Sequence, residues 1–210
     1  MGDLIIKPAS SGSLKIQDQA GTDKFVINNS GITSTLPPGM VIEEFMSPCN
    51  GSSITIQSGT YTVENVTALV NLTTSHTKVT GSEISYTPPI GTQTVVYEFG
   101  FQRTHENDAN TISHWSLFLD SNEVTNFRTT ISGQGSSYLA GRYILRWAFH
   151  IGGSDDTASG RVTSWTTAKT IKLTARDYSS SYDVKLHYTG NWDGTSGVFS
   201  QPTVGIKALS

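Results

Sequence analysis

The chain has 210 residues, 36% of them hydrophobic, which is enough apolar surface to bury a core in one domain with or without an appendage. With 14 Lys and Arg against 17 Asp and Glu, it has no excess of positive charge for phosphate backbones, so we expect no nucleic-acid binding. No stretch approaches the roughly 18 apolar residues of a membrane span, so we expect no membrane insertion. The single cysteine, Cys49, excludes a disulfide within the chain.

Residues 1–38 differ in pattern from the rest of the chain. Three short apolar segments, at 4–6, 14–16 and 25–27, are separated by turn-forming stretches that contain Pro, Gly and Ser. Each segment is too short to close a core alone, so we expect the segments to pair with other chains or with a neighbour's open sheet edge. We predict an attachment or trimerisation arm, packed through Ile5, Leu14, Ile16, Phe25 and Ile27.

The run Leu36-Pro37-Pro38-Gly39 interrupts the chain, because proline removes a backbone donor and restricts the residue before it. We place the domain boundary there, with a head domain over residues 39–210. Strand patterns then recur at the spacing expected of an all-β sandwich or barrel. The predicted strands are 41–45, 53–57, 67–78, 83–86, 94–103, 113–120, 123–131, 142–151, 160–164, 169–176, 182–188 and 203–209.

Two of the predicted strands have large apolar side chains at every odd position, which indicates central strands over a common core. These residues are Val95, Tyr97, Phe99 and Phe101, and then Tyr143, Leu145, Trp147, Phe149 and Ile151. The opposite face of the same strands carries Val96, Ile144 and Ala148 among its polar residues, which is typical of a subunit interface.

Helix patterns are nearly absent, because Gly, Pro, Ser and Thr interrupt every candidate. The last three predicted strands alternate apolar and polar residues with a period of two, as strands with one buried face do. About ten antiparallel strands in a head of this size predict an all-β, antiparallel jelly-roll sandwich, preceded by a short β-rich stalk or anchor arm.

The sequence contains no recognisable catalytic constellation, so we expect a protein that is not an enzyme and has no cofactor. It lacks His-x-x-x-His, paired cysteines and Gly-x-Ser-x-Gly, so we expect no metal site and no serine nucleophile. His114, His150 and His187 fall opposite the apolar strand faces and either meet across a sheet or an interface or are ordinary surface histidines.

Aromatic side chains in polar loops suggest a contact surface. Tyr178, Tyr188, Trp192 and Trp165 lie in or beside loops rich in Asp, Asn, Ser and Thr, a mixture that stacks on sugars and forms hydrogen bonds with them. We predict Tyr178, Trp192 and Asp193 as receptor or ligand contacts. The alternative for Trp192 is that it folds back over the end of the sandwich.

Four segments of the head are distinctive as sequence motifs: VTGSEISYTPPIGT (79–92), VVYEFGFQ (95–102), ARDYSSSYDVKLHYTGNWDGT (175–195) and QPTVGIKAL (201–209). They resemble a module of marine viruses and bacteriophages that occurs in fibre-like and other virion surface proteins, and the similarity spans about residues 39–210. The segment LKIQDQAGTDKFVINNSGITS (14–34) is similar to the short repeats that build trimeric shafts in phage tail fibres. The resemblance implies a homotrimeric jelly-roll head on a short stalk, borne on a virion and without enzymatic activity.

We therefore expect a virion structural protein on the surface of the capsid or tail, with other virion proteins as partners and a host surface glycan or receptor as a possible ligand. One alternative is a capsid decoration or cement protein that binds only coat subunits. The other is a carbohydrate-binding, lectin-like module.

Overall fold

The structure is a computed structural model that describes residues 12–17, 19–21, 23–28, 31–32, 37–105, 110–134, 139–190, 192–193 and 197–210. Within these residues no helix is long and apolar enough to cross a membrane. The strands are β1 (Leu14–Gln17), β2 (Asp23–Asn28), β3 (Gly31–Ile32), β4 (Val41–Pro48), β5 (Ser53–Ile56), β6 (Gly59–Thr62), β7 (Val70–Asn71), β8 (Thr77–Lys78), β9 (Ile84–Tyr86), β10 (Thr94–His105), β11 (Asn110–Leu119), β12 (Asn122–Glu123), β13 (Thr129–Gln134), β14 (Leu139–His150), β15 (Lys169–Asp177), β16 (Val184–Leu186), β17 (Tyr188–Thr189), β18 (Val198–Phe199) and β19 (Thr203–Leu209). A 3-10 turn, η1 (Thr125–Phe127), lies between β12 and β13.

The N-terminal strands form a small antiparallel sheet of their own, in the order β1-β2-β3. Its register places Leu14 opposite Ile27 and Ile16 opposite Phe25. The apolar segments predicted at 14–16 and 25–27 are therefore strands that pair with each other inside one chain. Ile5 and the side chain of Phe25 lie outside the described residues.

A turn at the predicted domain boundary leads into the first strand of the head. Gly39 has a φ of +80°, and its N–H donates to the carbonyl oxygen of Ser210 at 2.6 Å. The Ser210 hydroxyl donates to the carbonyl oxygen of Pro37, also at 2.6 Å. The segment that enters the head is thus held by the last residue of the sequence, at the start of β4.

Two antiparallel sheets make up the head. Four strands of the first sheet lie in the order β4-β19-β10-β14, and four of the second in the order β9-β15-β11-β13. Shorter strands extend them, with β16 and β7 in the first sheet and β8 and β12 in the second. Numbered along the chain, these eight strands lie in the order 1-8-3-6 in the first sheet and 2-7-4-5 in the second. This order is that of a double-sheet jelly roll, so the predicted fold class is confirmed.

The core lies between the two sheets and is filled by alternate residues of their strands. Strand β10 contributes Val95, Tyr97, Phe99 and Phe101, all at most 1% exposed, as the sequence predicts. The second sheet contributes Trp115, Leu117, Ile171, Leu173 and Ala175, which are equally buried. Because these positions alternate along each strand, their neighbours must form the outer faces of the sandwich.

One interpretation of a strand is wrong in part. The pattern at 142–151 indicates a central strand, but β14 lies at the edge of the first sheet and pairs with β10 alone among the described strands. Of its large apolar side chains only Phe149 is fully buried, whereas Tyr143 and Trp147 are half-buried. The outer face of the same strand is apolar in part, since Ile144 is 56% exposed.

Candidate functional site

A groove lies on the outer face of the second sheet, and we call it the β11–β15 groove. Its volume is about 580 Å³, within the usual range for ligand sites. Its floor contains two cross-strand pairs on these neighbouring strands, Ser116 with Thr174 and His114 with Arg176. Phe118 extends the floor to the edge of the groove, where its cross-strand neighbour is Lys172. The walls are completed by His76, Glu123, Arg128, Thr129 and Thr130.

Arg176 and His114 contact each other at one end of the groove. Nη2 of Arg176 lies 2.9 Å from Nδ1 of His114. Since a guanidinium can only donate, Nδ1 must accept this hydrogen bond, and the ring proton of His114 must be on Nε2. Among the described residues Arg176 has no carboxylate partner, so its positive charge is not neutralised by an ion pair.

His76 closes the same end of the groove from the loop before β8. Its Nδ1 lies 3.3 Å from the Thr174 hydroxyl. Burial lowers the pKa of His76, and the positive charge of Arg176 lowers it further, with Glu123 acting in the opposite direction. The neighbouring charges that lower this pKa outnumber those that raise it, which is consistent with a cationic groove.

Glu123, on the opposite wall, is engaged by its neighbours. Its carboxylate accepts hydrogen bonds from Nε and Nη2 of Arg128, at 2.9 and 2.7 Å, and from the Ser116 hydroxyl at 2.8 Å. The hydrogen bonds from Arg128 and Ser116 lower the pKa of Glu123 to about 2. Glu123 and Arg128 therefore neutralise one another, and the charge of Arg176 remains uncompensated.

Aromatic rings lie at both ends of the groove. The ring of Tyr178, a predicted contact residue, is 57% exposed and meets the His114 ring edge-on, with 5.8 Å between centroids. At the other end the ammonium group of Lys172 lies 6.0 Å from the centroid of the Phe118 ring. Lys172 also has no carboxylate partner among the described residues.

The other two predicted contact residues lie elsewhere in the fold. Trp192 and Asp193 follow β17, whereas Tyr178 follows β15 and has its described ring contacts with His114 and Tyr182. Trp192 is 72% exposed, so it does not fold back over the sandwich. The roles of these residues as receptor contacts stay predictions, and the structure associates only Tyr178 with the groove.

Two further interpretations are corrected by burial. Trp165 is 4% exposed and donates its indole N–H to the carbonyl oxygen of Tyr86, so it belongs to the core and not to a contact surface. His187 is fully buried, and its Nε2 donates to the carbonyl oxygen of Thr80 at 3.0 Å. His114 lies on the outer face of the second sheet and His150 on the first, so these histidines do not meet within a chain.

The predicted arm residues are only partly covered. Ile16 is 57% exposed, and Leu14 and Ile27 are half-buried. Within the described ranges, His, Cys, Asp and Glu side chains form no cluster able to hold a metal ion.

Comparison with known proteins adds no family. No protein-family model matches the chain, and no curated protein matches it either. The resemblance to virion surface proteins therefore stays a prediction drawn from the motifs quoted above.

Proposed function

We propose that the protein is a non-enzymatic virion structural protein, a trimeric fibre or surface projection of the capsid or tail whose jelly-roll head contacts the host surface. The observation that carries the proposal is the contrast between the two parts of the chain. The head has a fully buried core, whereas the β1-β2-β3 sheet leaves Ile16 57% exposed. A three-stranded sheet of this size needs a second apolar layer to be stable, and sister chains would supply it.

The β11–β15 groove supports a contact role for the head. It is an open cavity with converging polar side chains, which a protein that only cements coat subunits does not require. Glu123 is the one carboxylate among the groove residues, and it is engaged by Arg128. A glycosidase needs two converging carboxylates, so the groove favours binding over glycoside hydrolysis.

The oligomeric state of the full chain tests the arm. Multi-angle light scattering should give three times the chain mass of 22.7 kDa. Ile16→Asp should shift the protein towards monomer, because a carboxylate would be buried at the contact between chains. The comparison variant is Ile144→Asp, a change of the same residue type at nearly the same exposure, on the outer face of the first sheet, where the sequence indicates a rival subunit interface. A monomeric full chain would contradict the trimer, and dissociation by Ile144→Asp alone would place the interface on the head instead.

Deletion of residues 1–36 tests the role of the arm on the particle. The shortened chain keeps Pro37, whose carbonyl oxygen accepts a hydrogen bond from the Ser210 hydroxyl. Because this contact at the start of the head is retained, the head should unfold at the same urea concentration as before. Antibody labelling of particles should then show loss of incorporation. Undiminished incorporation of the head alone would favour a cement protein.

A further inference from the structure

The β11–β15 groove carries an arrangement of charge that the fold does not need. Lys172, Thr174 and Arg176 alternate on the outer face of β15, so the Cα atoms of the two basic residues lie roughly 13 Å apart with a threonine between them. No carboxylate of the described residues pairs with either cation. A protein with a net charge of −3 has enough carboxylates to pair these groups. Within the described residues, however, Arg176 lines the cavity without a carboxylate partner, and Lys172 lies beside Phe118 at its edge, also without one.

The contact between Arg176 and His114 is a weak partnership for a guanidinium. A neutral imidazole nitrogen accepts one hydrogen bond and supplies no negative charge, so the remaining N–H groups of Arg176 are suited to an oxyanion. The hydroxyls of Thr130 and Thr174 line the same cavity and can both donate and accept hydrogen bonds. The Ser116 hydroxyl already donates to Glu123 and can act only as an acceptor.

The exposed ring of Tyr178 adds an apolar surface beside this cation. Together, a guanidinium, several hydroxyls and an aromatic ring match a ligand that has an acidic group, many hydroxyls and an apolar ring face. We propose that the β11–β15 groove binds an anionic saccharide, with Arg176 on its carboxylate or sulfate group and Lys172 on the next acidic group along the chain. The inference deepens the proposed contact with the host surface and rests on it for its biological meaning.

Three polysaccharides with one backbone test the ligand chemistry: dextran sulfate, carboxymethyl dextran and neutral dextran. Binding to the full-length protein is measured by calorimetry at low and at moderate salt. At least one anionic polymer should bind, more weakly as salt rises, and neutral dextran should not bind. Tighter binding of dextran sulfate would indicate a sulfate ligand, and tighter binding of carboxymethyl dextran a carboxylate ligand. Equal binding of neutral dextran, or no binding of either anionic polymer, would overturn the proposal.

Arg176→Gln locates the site, with Arg142→Gln as the matched control. Both changes remove one arginine from the outer face of a strand, half-buried at Arg176 and exposed at Arg142. Arg142 lies on the first sheet and donates a hydrogen bond to the Thr203 hydroxyl. Loss of a charge-assisted hydrogen bond should weaken binding about tenfold or more in Arg176→Gln and less than about twofold in Arg142→Gln. Equal losses in both variants would indicate attraction to net charge alone and would overturn the proposal.

Two further measurements keep the test decisive. If Arg176→Gln does not fold, as judged by urea unfolding, Lys172→Gln replaces it, and this change at the other end of the groove should also weaken binding of the anionic polymers. Oligomeric state is measured on the same samples and incorporation on particles. If the protein is trimeric and incorporated into particles but binds neither anionic polymer, only the saccharide inference is contradicted. If it is a monomer that binds them through Arg176, only the virion proposal is contradicted.

Discussion

His187 should make the head less stable in mild acid. Its side chain is fully buried, Nε2 donates to the carbonyl oxygen of Thr80, and Nδ1 has no hydrogen-bond partner among the described residues. Burial lowers the pKa of His187 from 6.5 to about 4, and the hydrogen bond to Thr80 opposes this only in part. Between these two pH values the unfolded chain is therefore protonated at His187 while the folded chain is not.

The size of the effect follows from the difference between the two pKa values. Between 6.5 and about 4 the unfolded state binds more protons, so the free energy of unfolding falls as the pH falls through this window. The full difference corresponds to about 3 kcal/mol, and about 2 kcal/mol of it should be lost between about pH 7 and about pH 5. Glu123, with a pKa near 2, acts mainly below this range.

Urea unfolding at the two pH values measures this loss, and His187→Asn provides the comparison. Asparagine tolerates the φ of +60° at this position and does not titrate. The variant should lose about 2 kcal/mol less than the natural chain over the same interval, with a residual slope from His76, whose pKa is also lowered. Equal losses in both proteins, or an NMR titration of His187 near 6.5, would refute the reasoning.

Two more predictions concern the packing around Cys49. Gly81→Ala should destabilise the head by about 2–4 kcal/mol in urea unfolding, because φ is +88° and a Cβ would lie 2.8 Å from Cγ2 of Val66. Gly91→Ala, with a φ of +94° but open space around it, should lose about 1 kcal/mol, and equal losses would contradict the packing argument. Burial raises the pKa of the Cys49 thiol to about 12, so Ellman's reagent should label it only after unfolding, and rapid labelling of the native protein would contradict this.

Much of the fold follows from local patterns. Strand β19 (Thr203–Leu209) has the predicted bounds, and β10 and β15 differ from theirs by only one or two residues at the C-terminal end. These strands cross the core, so their period of two is enforced by burial on one face. Where burial does not determine the local structure, the β propensity of the residues is a poor guide. The predicted strand at 67–78 is reduced to the two short strands β7 and β8.

Local hydrogen bonds explain that difference. In the interval between β7 and β8 the Ser75 N–H bonds to the Thr73 hydroxyl, which turns the backbone although threonine favours strands. The predicted strand at 123–131 is interrupted in the same way by η1, where the Phe127 N–H donates to the carbonyl oxygen of Val124. In both places a turn of two or three residues outweighs the β propensity of its members.

The groove could be predicted only in part, because it depends on which strands lie next to each other. The sequence places Lys172, Thr174 and Arg176 on the face of β15 away from the core, and it indicates Tyr178 as an exposed ring. It does not show that β11 is the neighbour of β15, or that His76 arrives beside them from a loop about a hundred residues earlier. These contacts depend on the strand order of the jelly roll, and the alternation of apolar and polar residues along a single strand does not reveal that order.

The packing of the core fixes the geometry of the groove, because it sets the register between β11 and β15. Leu117 and Leu173 face each other across β11 and β15 on the buried side, where both are fully buried. A slip of one residue would turn these side chains to solvent, at about 2 kcal/mol or more for each, and would move Arg176 away from His114. The spacing of the groove cations is therefore held by core packing before any ligand arrives, which reduces the entropy lost on binding. An anion held by Arg176 would meet a site that is already formed.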